Sequence, residues 1–300
     1  MDANRLEGLA AELEGSGDYR VLRRFRPRER YAEDDGSDKV WGAVVDVETS
    51  GFDCRSDAII QFAMVPFEFG KDTGRVYRVG ETLSWFEDPG RPIPAEITLL
   101  TGITDDDVRG QRIDDAAVEA ALADVKLVIA HNAGFDRPFI DRRLAPFRSR
   151  YWGCSQIEVP WKSAWRYPSA ALECLMLRPA GMFFGAHRAP DDCLAVVHLL
   201  ATVEHDGQSA MGHLLQSARQ KSHRIWAIDA PIDRKDILKA RKYRWNPGND
   251  GRPKAWHTVV PASAREAELE WLRQNMYDGA PGTPWRVDDF NGKTRYAEGW

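Results

Sequence analysis

The chain has 300 residues, with 41 Lys or Arg against 46 Asp or Glu, a formal net charge of −5 and 43% hydrophobic residues. That is enough for one full core and a smaller second module of an ordinary globular protein. No apolar stretch approaches the roughly 20 residues of a membrane span, and the N-terminus lacks a basic-then-apolar signal pattern. Cys54, Cys154, Cys174 and Cys193 show no paired CxxC spacing, which argues against a structural zinc site. A reduced, cytoplasmic protein with free thiols is expected.

In chain order, residues 1–38 are polar and mixed in charge, with a short helix predicted from Asn4 to Leu13 and a flexible approach from Tyr31 to Asp38. The core begins near Val40. Strands are predicted at 40–48, 58–67 and 76–85, joined by the turn-rich stretches 51–57 and 70–74. Helices follow at 94–100 and 114–123, a short apolar strand at 126–130, and helices at 135–144, 169–177 and 190–204. Strands first, then alternating helix and strand, predict a mixed sheet with helices on its faces. Residues 206–222 read as a polar connector with a helix around 211–218, and the Gly- and Pro-rich tail from Asp278 reads as extended.

Charge is uneven along this order. Residues 219–256 hold eleven Lys or Arg and four Asp or Glu, a local balance of +7 that leaves −12 for the remainder. An acidic body with a basic module points to a nucleic-acid contact at one end, although a solvated charged face is the commoner fate of such a run.

The first core strand ends in Asp46-Val47-Glu48. Two carboxylates one residue apart project from the same face of a strand. Burying them is costly unless something positive compensates, and hard oxygen donors favour Mg²⁺ or Mn²⁺. Taken alone, such acids are more often a helix cap or a solvated loop residue. Asp136 at a predicted helix start, Asp192 opening the last helix of the body, and His187 five residues before Asp192 change the reading.

Together these segments resemble the DEDDh 3′–5′ exonucleases, relatives of the proofreading subunits of replicative polymerases. The matching motifs are Asp46-Val47-Glu48-Thr49-Ser50-Gly51, His131-Asn132-Ala133-Gly134-Phe135-Asp136, and His187 with Asp192. Thr101-Gly102-Ile103-Thr104 matches the connecting segment beside the substrate. The resemblance covers about residues 40–205. It implies an α/β, ribonuclease-H-like fold, with a mixed five-stranded sheet flanked by helices over a domain at 39–205. It also implies that Asp46, Glu48, Asp136 and Asp192 hold two divalent ions, Mg²⁺ or Mn²⁺, with Asp46 bridging them. Histidine is the side chain suited to the general base on the attacking water, and His187 is the candidate. Asp191 competes with Asp192, but the spacing favours Asp192. His131 is read as shaping its loop.

Substrate contacts are expected from the Thr49 backbone, Thr101, Ile103 and Asn132, with Phe52 and Phe135 against terminal bases. Phe183 and Phe184, just ahead of His187, are candidates for stacking on a single strand, against the more frequent role of aromatic pairs as core.

The basic module reads as a helix at 235–241 capped by Asp233, a hairpin of 243–245 and 255–260, and a closing helix at 264–274. Leu238-Lys239 to Arg244-Trp245, followed by Trp256, resembles a signature of small domains found beside annealing helicases and conjugation proteins. Lys242 stands where glycine is usual. The resemblance implies a small α+β nucleic-acid-handling domain at 223–276, between a linker at 206–222 and a tail at 277–300. Lys239, Arg241, Lys242, Tyr243, Arg244, Trp245, Arg252, Lys254 and Trp256 are its candidate contacts, unless the tryptophans are its core.

The expected activity is metal-dependent 3′–5′ exonucleolytic hydrolysis of DNA from single-stranded or frayed 3′ ends. The expected products are nucleoside 5′-monophosphates, and the expected setting is repair or degradation. The same chemistry on RNA, or a proofreading role beside a polymerase, are the alternatives. A non-catalytic binding module requires a broken site, and all five site residues are present.

Overall fold

The computed structural model describes residues 2–178, 180–279, 282 and 284–300. Helix α1 (Ala3–Gly15) opens it, its first turn capped by the Asp2 carboxylate, which accepts from the Asn4 amide. A two-residue strand, β1 (Arg23–Arg24), follows. The stretch expected to be flexible is instead pinned. The Tyr77 hydroxyl donates to Asp35 at 2.7 Å, and the Lys71 amide donates to the Asp38 carbonyl at 2.9 Å.

The apolar run from Lys39 becomes β2 (Lys39–Thr49), antiparallel to β3 (Ile59–Gly70) along its whole length. The far edge of β3 carries β4 (Val76–Val79) and β5 (Leu83–Phe86). These were expected as one strand. Pro66, in the middle of β3, has no N–H to give a partner, so the pairing breaks there. Gly80 donates to the Pro66 carbonyl across the gap. Helices α2 (Ala95–Thr101), α3 (Asp105–Val108) and α4 (Asp115–Leu122) lead into β6 (Val125–Ala130), parallel to β2. Then come α5 (Ala133–Arg143) and β7 (Trp152–Cys154), parallel to β6 and too short to stand out in the sequence. Helix α6 (Leu172–Leu177), strand β8 (Met182–Phe183) and helix α7 (Ala189–Leu200) complete the body.

The sheet order is β4-β3-β2-β6-β7 with β5 also on β3, six strands where five were expected. Alternation along β2 divides its neighbours. Val44 packs toward α7, among Ala189, Cys193, Val196 and Leu200, while Ala43, Val45 and Val47 pack toward α5, with Phe139 and Ile140. Each such large apolar side chain contributes about 1.5–3 kcal/mol on full burial, so the two layers fix both helices against the strand that carries the acids.

The expected connector at 206–222 is mostly helix α8 (Ala210–Arg219). Ala210, Met211, Leu214 and Leu215 belong to the α7-side core. Gly74, at φ +70, lets the helix approach: a Cβ there would lie 2.5 Å from the Gly212 nitrogen. The module then forms β9 (Ser222–Ala227), α9 (Lys235–Ala240), β10 (Arg244–Asn246), β11 (Ala255–Pro261), α10 (Arg265–Met276) and β12 (Trp285–Phe290). Its sheet order is β10-β11-β9-β12, so the tail supplies an edge strand; residues 280, 281 and 283 of that tail lie outside the described ones. Asp233 does not cap α9: it lies in a 3₁₀ turn, and Arg234 stands at the N-cap. Lys242 takes the backbone conformation that glycine usually supplies, φ +67. The Tyr243 and Lys242 amides close onto the Leu238 and Lys239 carbonyls, the bond pair of a Schellman cap.

The last ten residues return to the body. The Trp152 amide donates to the Gly292 carbonyl, and the buried Arg137 guanidinium donates to the Lys293 and Arg295 carbonyls. Arg295 in turn pairs with Glu158 at 2.6 Å and donates to the Ala218 and Gln220 carbonyls at the end of α8. Tyr296 is buried in the α5-side core. With Arg295 and Glu158 only 5% and 3% exposed, removing one partner strands a buried charge. Arg295→Ala is expected to cost about 3–5 kcal/mol in chemical denaturation; a loss below about 1 kcal/mol shows the tail is not part of the body's core.

Candidate active site

The acids meet where β2 outruns its parallel neighbour. β6 ends at Ala130 after pairing Ile129 with Val44, so the β2 edge beyond it has a free amide at Val47. Asp136, in the first turn of α5, accepts from that amide at 3.3 Å. On the other face, Asp192 in the first turn of α7 meets Asp46 and Glu48. One carboxylate oxygen from each of the three lies within 4.8 Å of the others. That is close to twice the ~2.0–2.6 Å metal–oxygen distance of a hard cation, so the donor set fits a divalent ion. Gln61, opposite Glu48 on β3, accepts from the Ala189 amide at 3.3 Å and sets the start of α7 against the sheet. Asp191 is exposed on the next position of the helix.

Burial, and then the neighbouring acids, push the Asp46 carboxyl well above the usual carboxylate range. Burial and the charge of Asp136 raise Glu48 to about 7, against a lowering by Arg188. Asp136 and Asp192 also rise to about 7, chiefly through burial, while backbone amides oppose the rise. Four acids that cannot all ionise side by side in a dry site are a store of unfavourable charge that a divalent cation relieves.

His187 is exposed at the lip of the cleft in the left-handed backbone region, φ +64, and its amide donates to Asp192 Oδ2 at 3.0 Å. His131 is structural in geometry. Its Nε2 donates to the Ala170 carbonyl, leaving Nδ1 to accept from Ser155, and burial lowers its pKa to about 4.

A cleft of about 340 Å³ gathers Asp46, Glu48, Thr49, Phe52, Thr101, Asn132, Phe135, Asp136, His187 and Asp192. Phe52, 80% exposed, and Phe135 form an aromatic pair 6.4 Å apart at its edge. Other expected contacts are elsewhere. Ile103 is fully buried with Ile60, Ile93, Ile97 and Val108, because the chain turns inward after Gly102. The Thr101 hydroxyl is spent on the Ile97 carbonyl and the Ile103 amide. Phe184 packs edge-on to Phe25, and Phe183 lies beneath Arg24, both outside the cleft lining. The sequence reading missed Leu100 and Glu173, which line the cleft, and Arg188, whose guanidinium reaches the Gly102 carbonyl at 3.5 Å and favours ionised Glu48. Spacing from the matched motifs carried no signal for them.

Much of the module's positive charge is consumed internally. Arg241 pairs with Glu268 and lies over Trp271, Arg252 pairs with Asp250, Lys239 pairs with Asp236, and Tyr243 is buried with its hydroxyl donating to Glu268. Trp256 packs into the module core. Lys242, Arg244 and Lys254 are exposed, beside Trp245, which is 48% exposed and 5.6 Å from Trp256.

Comparison with known proteins decides the family. A family model described as Exonuclease matches residues 43–200, more than half of the chain. The chain belongs to the exonuclease family. A DNA polymerase III PolC-type protein of Clostridium perfringens is 31% identical over 164 residues, covering 52% of this chain and 11% of that protein. The 3'-5' exonuclease DinG of Bacillus subtilis is 36% identical over 104 residues, covering 34% of this chain and 10% of that protein. The chain thus spans about a tenth of these relatives' length. Among solved structures, the zinc-bound form of an E. coli ExoI–ssDNA complex superposes with a TM-score of 0.50 at 14% identity, covering 79% of this chain and 71% of that chain. That likeness concerns the fold, a mixed sheet flanked by helices.

The raised carboxyls set a pH dependence in the metal-free protein. A group whose folded pKa exceeds its unfolded value near 4 contributes stability at low pH that is lost as pH rises through the folded value, here toward about 7. In chelator, the stability of Asp192→Asn relative to the parent is expected to rise steadily from pH 4 to pH 8, and the variant should melt higher than the parent at pH 8. A difference that stays flat across that range contradicts the electrostatic account.

Proposed function

We propose that this exonuclease hydrolyses phosphodiester bonds from the 3′ end of DNA, with Mg²⁺ or Mn²⁺, releasing nucleoside 5′-monophosphates. The observation that carries the reading is the convergence of Asp46, Glu48, Asp136, Asp192 and His187 in one cleft at the end of β2. Asp46, Glu48, Asp136 and Asp192 would hold two divalent ions, which would supply activation of water and relief of charge at phosphorus. His187 takes the proton of the attacking water. The water oxygen bonds to phosphorus as the bond to the 3′ oxygen breaks, and that oxygen takes a proton from solvent and stays on the shortened strand as its new 3′ hydroxyl. Phe52 and Phe135 stack on the terminal base, while Asn132 and the Thr49 backbone position the nucleotide. The cleft lies at the low end of ligand-sized cavities, which suits one terminal nucleotide of a single-stranded or frayed end.

DNA is proposed as the polymer because the Clostridium perfringens relative is named for a DNA polymerase and the solved ExoI structure is a complex with ssDNA. Lys242, Arg244, Lys254 and Trp245 form the accessory contact, combining backbone charge with base stacking. The four free thiols suit a reduced, cytoplasmic setting, and no helix among the described residues is long and apolar enough to cross a membrane.

End-labelled DNA and RNA oligonucleotides, single- and double-stranded, test this together. The parent should shorten single-stranded DNA from the 3′ end in Mg²⁺. Asp46→Ala should abolish turnover, and His187→Gln should lower kcat by about 10²–10⁴. Arg244→Ala with Trp245→Ala should raise KM and flatten its salt dependence at unchanged kcat. Preference for RNA corrects the substrate; no hydrolysis of either polymer, or full activity in Asp46→Ala, refutes the site.

A further inference from the structure

We propose that the N-terminal extension is a strap that positions His187, with Phe25 as its anchor; the inference rests on His187 serving as the proton acceptor. Strand β8 ends four residues before His187, and its pairing is with β1, from a segment outside the family-matched residues 43–200. The Arg23 amide donates to the Gly181 carbonyl at 3.1 Å, and the Phe25 amide donates to the Phe183 carbonyl at 2.8 Å. Side chains reinforce the register. Arg24 lies over the Phe183 ring at 5.2 Å, and the Phe25 ring meets Phe184 edge-on at 6.4 Å and His198 of α7 at 5.2 Å. Phe25 is 8% exposed and belongs to the α7-side core.

Both ends of this segment are fixed. Upstream, Glu7 of α1 pairs with Arg23 at 2.8 Å. Downstream, the Val79 amide donates to the Glu29 carbonyl and the Tyr31 amide to the Tyr77 carbonyl, which ties the strap to the β4 edge. The strap therefore runs from the sheet edge, over α7, to the strand that feeds the histidine loop.

Between Phe184, which packs against the α7-side core, and His187 the loop itself is open. Gly185 is exposed, and a Cβ there would touch nothing within 4 Å. His187 itself sits at φ +64, a conformation a non-glycine residue keeps only when its surroundings impose it. The downstream restraint is its amide bond to Asp192. The upstream restraint is β8, held by β1 and Phe25. A strap that fixes β8 removes the loop's freedom before substrate arrives, so the imidazole is presented at the cleft without paying that ordering in each turnover.

The test is a double-mutant cycle with hydrogen exchange. Phe25→Ala should lower kcat on end-labelled single-stranded DNA roughly 10- to 100-fold, with KM changed less than about threefold. In the His187→Gln background the same substitution should cost less than about threefold, because the group it positions is already gone. Exchange should quicken at residues 181–187 and stay unchanged at 43–48. Phe25→Leu should restore both readouts. Arg23→Pro, which removes the amide bond to Gly181 and leaves Phe25 in place, should reproduce the loop-specific exchange. Equal losses in both backgrounds, or unchanged exchange at 181–187, overturn the proposal. The exchange arm needs no turnover, so failure of the strap is distinguishable from failure of the catalytic reading.

Discussion

Four carboxylates at the end of a buried strand must be held together against their mutual repulsion and against the cost of leaving water. The rest of the structure is arranged around that constraint. Asp46 and Glu48 cannot move apart, because this stretch of β2 is paired residue by residue with β3 and the strand is packed on both faces. Asp136 and Asp192 arrive from the first turns of two helices, where the amide-rich end favours negative charge. The Val47 and His187 amides each donate to one of these acids, so each is oriented as well as tolerated. What the protein's own groups leave uncompensated is seen in the raised carboxyls, and it is the driving force for binding a cation.

The two ends of the chain reinforce this centre from opposite sides. The N-terminal strap reaches the strand that precedes His187. The C-terminal tail engages Arg137, the residue after Asp136, and buries Arg295 against Glu158. Arg224 of the module lies within reach of the Phe290 and Trp300 rings, which joins the module's sheet to the same tail. The C-terminal module is thereby joined to the body through α8 and the tail. Deleting the module as a unit would strip Tyr296 and Arg295 from the nuclease core, so point changes on its surface are the clean probes of its role.

Most of the candidate site that the fold gathers in one cleft was legible in the sequence, because the chemistry proposed for it needs specific residue types at fixed places on regular elements. Asp46 and Glu48 showed as alternating acids on an apolar run, and Asp136 and Asp192 as acids at helix starts. Contacts fixed by tertiary packing were not legible. Ile103 and Phe184 look like recognition residues by position, but Ile103 is buried and Phe184 packs against Phe25 and the α7-side core. Arg241, Arg252 and Tyr243 look like a basic-aromatic contact, but Glu268 and Asp250 take them up. The strands β1, β7, β8 and β9 were missed, three of them because two or three residues carry no period. The break between β4 and β5 came from Pro66 on the neighbouring strand, a cause that lies outside the segment it interrupts.

The carboxylate cluster is a charge-strained centre, its acids raised above the usual carboxylate range, and divalent cations relieve that strain. Calorimetric titration of Mg²⁺ or Mn²⁺ into the chelator-stripped protein, in two buffers of different ionisation enthalpy at about pH 6.5, tests it most directly. The account predicts cation binding with net release of protons, both lost in Asp46→Asn. Binding without proton release, or no binding at millimolar cation, contradicts it.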